Sequence, residues 1–362
     1  MTLTNRIRFF TLVALFTCLI FCNARAEELP YLTHAKKVAD ISAWNLWTYD
    51  YRWISEEEIF YFHLTDGEED WIIAHRNIKE DKETTMKTVS NAFRRSMGDG
   101  GDAYLAPDGK HFMWTSPWAE FYIASLDDKI VSKTDSIADV YWVDGQHWIE
   151  LIHQEGMRFS VLNPPAPIIK AEVHAIGKAE PIRTLSIAED DPFNVERAKI
   201  GIQRQSEFVT PDYRLLYANW DERENVSTQI ITETPLLKKG ASRRIKVKIP
   251  LQTAVDDIVF SSDGKRIAWK LRTRRIPEII AKVAEKFPNM EPCPHPIVSL
   301  WVSNIDGSDM KMLDQQTSIP SAANEIDEGV IQKSEPIELR WLTNGKTISF
   351  IYQNSLWKLD AN

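Results

Sequence analysis

A short phrase of apolar and polar positions recurs six times between residues 53 and 350, with copies opening at Trp53, Leu105, Trp142, Val209, Phe260 and Trp341. Three positions after the opening apolar residue stands an acidic residue or Asn in five copies: Glu56, Asp108, Asp212, Asp263 and Asn344. In the copy from Trp142, Asp144 and Gly145 arrive one residue early. Apolar residues then recur seven and nine positions after the opening one: Phe60/Phe62, Phe112/Trp114, Ile149/Leu151, Leu216/Ala218, Ile267/Trp269 and Ile348/Phe350. A spacing of two is the period of a strand with one buried face. Self-similarity at this scale marks a repeat architecture, in which units bury one another's apolar faces.

Each copy reads as a β-hairpin. Pro107-Asp108-Gly109-Lys110, Ser262-Asp263-Gly264-Lys265 and Thr343-Asn344-Gly345-Lys346 are tight turns of the Asp-Gly or Asn-Gly kind. A third apolar stretch follows in every copy: Trp71–Ile73, Phe121–Ile123, Phe159–Val161, Gln229–Ile231, Leu300–Val302 and Leu356–Lys358. About four strands per unit, repeated around a circle, predict an all-β fold: a six-bladed β-propeller of four-stranded antiparallel blades. The interval 162–207 separates the third and fourth copies by an unusual length, and a degenerate extra blade there would make seven.

The phrases Leu105-Ala106-Pro107-Asp108-Gly109-Lys110 and Phe260-Ser261-Ser262-Asp263-Gly264-Lys265-Arg266-Ile267-Ala268-Trp269 resemble the repeat of TolB-like, WD-type propellers. Leu300-Trp301-Val302-Ser303-Asn304-Ile305-Asp306-Gly307-Ser308 is similar to that family's third strand and outgoing turn. The likeness is clear in the copies from Leu105, Phe260 and Trp341, and degraded where Glu56-Glu57-Glu58 and Pro211-Asp212-Tyr213 replace the Asp-Gly turn. It implies the propeller fold and, by analogy with TolB, an envelope protein or peptide as partner. The α/β domain that precedes the TolB propeller is expected to be absent, because only about 25 residues separate the leader from the first copy. Such scaffolds host binding proteins, regulatory domains and enzymes alike, so fold does not choose among them.

The last copy supplies three strands before Asn362, while Lys37-Val38-Ala39-Asp40-Ile41 alternates like a strand with no copy of its own. An amino-terminal strand is therefore expected to close the ring. Residues 1–26 read as a secretory signal: Arg6 and Arg8, an apolar run from Phe9 to Phe21, then Ala24-Arg25-Ala26. That run is too short to span a bilayer comfortably. The expected organisation is a signal peptide at 1–26 and one propeller domain at 27–362, with insertions at about 162–207 and 271–296. The second insertion reads as a short helix from Pro277 to Phe287, then a Pro-rich run through Cys293 and His295.

The chain carries a net charge of −9, and three arginines leave with the signal. That balance argues against nucleic acid as a partner. Basic runs at Lys238-Lys239 with Arg243-Arg244, and at Arg272 with Arg274-Arg275, read as solvated strand edges. Cys293 is the one cysteine outside the signal, so no internal disulfide is expected and stability must come from a core. Tryptophans at repeat positions read as packing between blades, whereas Trp118, Trp148 and Trp220 fall outside the pattern and suit a contact surface.

No Gly-x-Ser-x-Gly elbow occurs, and the histidines show no His-x-His or His-Glu-x-x-His spacing. His111 and His147 follow turns, Cys293 and His295 make an incomplete ligand pair, and Asp99–Asp102 and Asn304–Asp309 read as tight turns rather than calcium loops. The sequence thus assigns no catalytic, cofactor-binding or metal-ligating residue and no cofactor. It predicts an exported, periplasmic or secreted, non-catalytic monomer without a membrane span after cleavage, binding a protein, peptide or cell-envelope component. A metal-dependent polysaccharide (uronate) lyase or other propeller hydrolase is one alternative, and a sensor or inhibitor module is another.

Overall fold

The computed structural model describes residues 32–44, 46–64, 71–89, 103–115, 121–125, 130–134, 138–154, 167–188, 190–191, 194–195, 204–219, 228–237, 242–250, 253–275, 295–317 and 335–362. A strand β1 (Lys36–Asp40) precedes a sheet of β2 (Leu46–Trp53), β3 (Glu58–Leu64), β4 (Trp71–Asn77) and β5 (Lys82–Val89). The next sheets are β6 (Ala103–Leu105) to β9 (Ile130–Thr134), through β7 (His111–Thr115) and β8 (Phe121–Ser125), and β10 (Ala138–Trp142) to β13 (Arg183–Ser186), through β11 (His147–His153) and β12 (Ile168–Ala175). Then come β14 (Arg204–Val209), β15 (Arg214–Asn219), β16 (Thr228–Pro235) and β17 (Arg243–Lys248), followed by β18 (Thr253–Phe260), β19 (Arg266–Arg275), β20 (His295–Asn304) and β21 (Lys311–Thr317). The last sheet holds β22 (Ile337–Trp341), β23 (Thr347–Tyr352) and β24 (Ser355–Asp360), with β1 as its fourth strand. All pairings are antiparallel within four-stranded sheets, and the molecule is a β-propeller.

Turn chemistry fixes the hairpins. Asp263 Oδ1 accepts from the Lys265 N–H at 3.0 Å, and Gly264 N–H bonds to the Ser261 carbonyl at 2.8 Å. Asn344 does the same for Lys346 at 2.8 Å, and Asp108 for Lys110 at 2.9 Å. The early Asp144 accepts from both Gln146 and His147, at 2.7 and 2.8 Å, so it fills the role one residue ahead of register. In the degraded copy from Val209, Tyr213 stands where Gly264 stands in the copy from Phe260, and it adopts a φ of 61°. The turn has kept its left-handed residue and lost its glycine, which is why the motif is faint there.

The core lies between sheets rather than inside any one of them. Ile149, Leu151 and Val173 of the third sheet pack on Val209, Leu215 and Tyr217 of the fourth. Leu216 and Ile231 of the fourth pack in turn on Ile258, Ile267 and Trp269 of the fifth. Buried indoles find partners on the next strand or sheet: Trp269 Nε1 donates to Ser303 Oγ at 3.0 Å and Trp53 Nε1 to Ser349 Oγ at 2.6 Å.

The ring closes through its amino terminus. β1 pairs with β24, Lys36 opposite Lys358 and Asp40 opposite Ser355. Just before it, the backbone N–H groups of Thr33, His34 and Ala35 donate to the buried carboxylate of Asp314 on β21, at 3.0, 2.8 and 2.9 Å. The Lys358 ammonium lies 4.1 Å above the Trp53 ring, which joins the last sheet to the first.

The expected ring of six equivalent blades, with seven as the alternative, is corrected. Five sheets are full blades, each with an inner strand of five to eight residues, and these strands come into contact in the order β10, β14, β18, β22, β2. The remaining sheet, β6–β9, falls short of that: its described inner strand has three residues, Met113 and Ile123 pack with Trp148 of the third sheet, and His75 Nε2 of the first sheet lies 2.8 Å from the Gly109 carbonyl. A seventh blade is excluded because the strands described within 162–207 complete the third sheet (β12, β13) and begin the fourth (β14). The third strand of that copy is thus β12 and not Phe159–Val161. The leader at 1–26, the helix from Pro277 to Phe287, Cys293, Trp118, Trp220, Asp99–Asp102 and Lys238-Lys239 lie outside the described residues.

Gly264 and Gly345 occupy the same turn position at φ 66° and 63°, yet a Cβ on Gly264 would meet Thr210 Cγ2 of the preceding sheet at 2.4 Å while one on Gly345 meets nothing. Both alanine substitutions should lose about 1–2 kcal/mol to the left-handed backbone. Gly264→Ala should lose about 1–3 kcal/mol more by forcing two sheets apart. Urea unfolding of the two variants checks this, and equal losses would mean that the turn does not seat against its neighbour.

Candidate functional site

Inner strands converge on the axis, and their carboxyl ends enclose a cavity of about 680 Å³. Its wall comes from every sheet: Tyr51, Arg52 and Trp53; Pro107 and Met113; Asp139, Tyr141 and Trp142; Phe208 and Val209; Val259, Phe260 and Ser262; Arg340, Trp341 and Thr343. The wall is aromatic and aliphatic, with two guanidinium groups and one carboxylate. That mixture, an apolar body with few polar groups, is what binding clefts of this size use.

Several polar groups are held in place. Tyr51 is buried with its hydroxyl 2.9 Å from Ser349 Oγ and 3.2 Å from the Glu338 carbonyl, and burial pushes its phenol above the ordinary range. Arg340 donates to Glu338 Oε2 at 2.7 Å, and its guanidinium lies 5.9 Å from the Tyr51 ring. Glu338 has a φ of 54° at an irregularity in the β22–β23 ladder between Ile337 and Arg340. Arg340, beside this irregularity, lies on the cavity wall. Asp139 faces the buried His153 ring, with 3.2 Å between Oδ2 and Nε2.

A second charged group lies on the fifth sheet. Arg272 donates to both Asp256 and Glu335, with Nη2 2.6 and 2.7 Å from their carboxylates, and Lys270 Nζ lies 3.6 and 3.4 Å from the same two. Burial opposes the Arg272 cation, but the two carboxylates outweigh it and hold its pKa above the ordinary value. Arg272 is therefore a partly buried ion-pair member rather than a fully solvated edge; Arg243 and Arg244 are exposed on β17 as expected.

The residues singled out in the sequence do not gather at the cavity. His111 and His147 point Nδ1 back at Asp108 and Asp144, at 2.7 and 2.9 Å, so they clamp their own turns. Trp148 is buried and stacks on His174, which removes it as a contact surface. Asn304–Asp309 is a tight turn, with Asp306 Oδ1 accepting from the Ser308 N–H at 3.0 Å. The cavity wall itself was missed, although a signal existed. Arg52, Tyr141, Phe208, Val259 and Arg340 all line it, and each immediately precedes the opening apolar residue of its copy.

No known family profile matches the chain. No curated protein matches it by sequence. Among solved structures it is similar to TolB from Acinetobacter baumannii, at 14% identity and TM-score 0.37, over 72% of this chain and 52% of that one. The chain thus spans about half the length of the TolB chain it matches. It is also similar to the β-propeller domain of the Trilobed protease from Pyrococcus furiosus (15% identity, TM-score 0.39, 88% and 78% of the two chains). A third likeness is to an oligogalacturonate lyase in complex with manganese (10%, 0.41, 89% and 90%). These likenesses bear on fold alone, and the propeller assignment rests on the sheet topology. Among the described residues, no helix is long and apolar enough to cross a membrane.

Asp257 stands on the inner strand β18, and desolvation raises its pKa above the ordinary 3.8; the Ile258 N–H, Arg340 and Lys270 pull it back down, and Asp256 adds to the rise. Folded Asp257 keeps its proton to a higher pH than the unfolded chain does. Its contribution to stability is therefore full below the ordinary pKa and is lost as pH climbs through the raised one. Asp257→Asn should match the wild type well below pH 3.8 and gain on it as pH rises, levelling off above the raised pKa. Urea unfolding across that range reads the difference, and curves that stay parallel at every pH would contradict a desolvated carboxylate.

Proposed function

We propose that this protein is an exported, non-catalytic scaffold that binds a protein or peptide segment of the cell envelope in its axial cavity. The observation that carries the reading is the cavity's composition. Tyr141, Phe208 and Trp341 are partly exposed on its wall, Ser262 and Thr343 are exposed at its mouth, and Arg52 and Arg340 supply positive charge. An inserted chain would bury apolar side chains against the aromatics and set its polar groups against the guanidinium groups. Among the described residues, the wall offers one carboxylate and neither imidazole nor thiol, which favours binding over hydrolysis or elimination there. Export is supported by the amino-terminal charge and apolar pattern at residues 1–26, and the acidic balance turns the protein away from polyanions.

A photo-crosslinking residue at Thr343 should yield a discrete protein adduct in intact cells. The same residue at Lys246, exposed on the outer strand β17, should yield none. An adduct from Lys246 alone would move the binding surface to the ring's perimeter, and no adduct from either position in the producing organism would remove the scaffold reading.

A further inference from the structure

The third sheet holds a buried group of acidic and imidazole side chains that the cavity does not use. On β11, Trp148 and Glu150 lie two residues apart; on β12, Glu172 and His174 do the same. Each pair therefore shares one face of the sheet. The register sets Trp148 opposite His174 and Glu150 opposite Glu172. That face turns toward the reduced second sheet, where Trp148 packs with Ala106, Met113 and Ile123.

Two carboxylates thus meet directly across a ladder, with side chains only 5% and 13% exposed. Like charges so placed repel, and burial makes each more costly. Part of the charge is answered locally. Lys170 Nζ lies 2.5 Å from Glu172 Oε1, and Trp148 Nε1 donates to Glu150 Oε1 at 3.1 Å. What remains faces inward. His174 Nε2 is shielded from solvent, has no hydrogen-bond partner, and lies 3.6 Å from Glu172 Oε2 and 3.8 Å from Glu150 Oε1.

Those separations are too long for hydrogen bonds. They suit ligands sharing one ion, since bonds of about 2.0–2.2 Å in a tetrahedron place donor atoms about 3.3–3.6 Å apart. All three donor atoms fall within 4.8 Å of one another. The imidazole is already oriented, because its ring stacks on Trp148 at 5.2 Å and 10°.

We propose that Glu150, Glu172 and His174 bind one divalent transition-metal ion of the zinc class, with water in the fourth position. One nitrogen and two oxygen donors fit that class, and a double positive charge neutralises the opposed carboxylates. The ion cross-links β11 to β12 on the face turned to the second sheet. With all its ligands on two adjacent strands of the third sheet, it is a brace within that sheet, independent of what the cavity binds.

The test is calorimetric titration of the chelator-treated full protein with Zn²⁺, paired with the absorption spectrum of the Co²⁺ form. The wild type should bind one equivalent and melt at a higher temperature with Zn²⁺ than without it. His174→Gln and Glu172→Gln should each weaken binding by about tenfold or more and abolish the thermal shift. The Co²⁺ spectrum should show tetrahedral visible bands without a thiolate charge-transfer band, a reading that needs no variant to fold. No saturable binding by the wild type, undiminished binding by both variants, or a thiolate band pointing to Cys293 would each overturn the proposal.

Discussion

Every sheet of this protein carries apolar side chains on both faces, so none is stable until it stands between two others. A linear row would leave two apolar faces in water at its ends. A closed ring leaves none, and closure is therefore the condition on which the rest of the structure depends. The chain meets it with an interaction of low sequence economy: β1 crosses the full length of the polypeptide to pair with β24. Asp314 then holds the approach to that strand by accepting three successive backbone N–H groups. Charge-assisted bonds of this kind, made in a buried site, are among the stronger single contributions available to a fold.

The cavity is a by-product of the same constraint. Inner strands lean together at the axis, and strand alternation decides which residue of each copy faces it. That position is occupied by Arg52, Tyr141, Phe208, Val259 and Arg340, four residue types in five sheets. Repeats fixed by packing thus leave one ring of positions free to vary, and chemistry accumulates there.

Much of the fold was legible because turn chemistry and period-two alternation are local. The Asp-Gly and Asn-Gly turns, five of the six third strands and the closing segment at Lys37–Ile41 could be located before any coordinates. Failures came where local pattern and long-range pairing part. Phe159–Val161 is more apolar than much of β12, yet the ladder chose Ile168–Ala175 as partner for β11. Tyr213 hid a turn by taking a glycine's backbone conformation. Trp148 looked like a surface residue because its partner, His174, is adjacent only through strand register. No spacing rule links Glu150 to Glu172 and His174; only the pairing of β11 with β12 brings them together.

Closure is tested most directly by amide hydrogen exchange on the full chain, comparing residues 36–40 with residues 355–360. If β1 is the fourth strand of the last sheet, amides bonded between β1 and β24 should be protected together and open together as denaturant is added. Rapid exchange throughout 36–40 while 355–360 stays protected would contradict a ring sealed by its amino terminus, and with it the account of how this molecule buries its sheets.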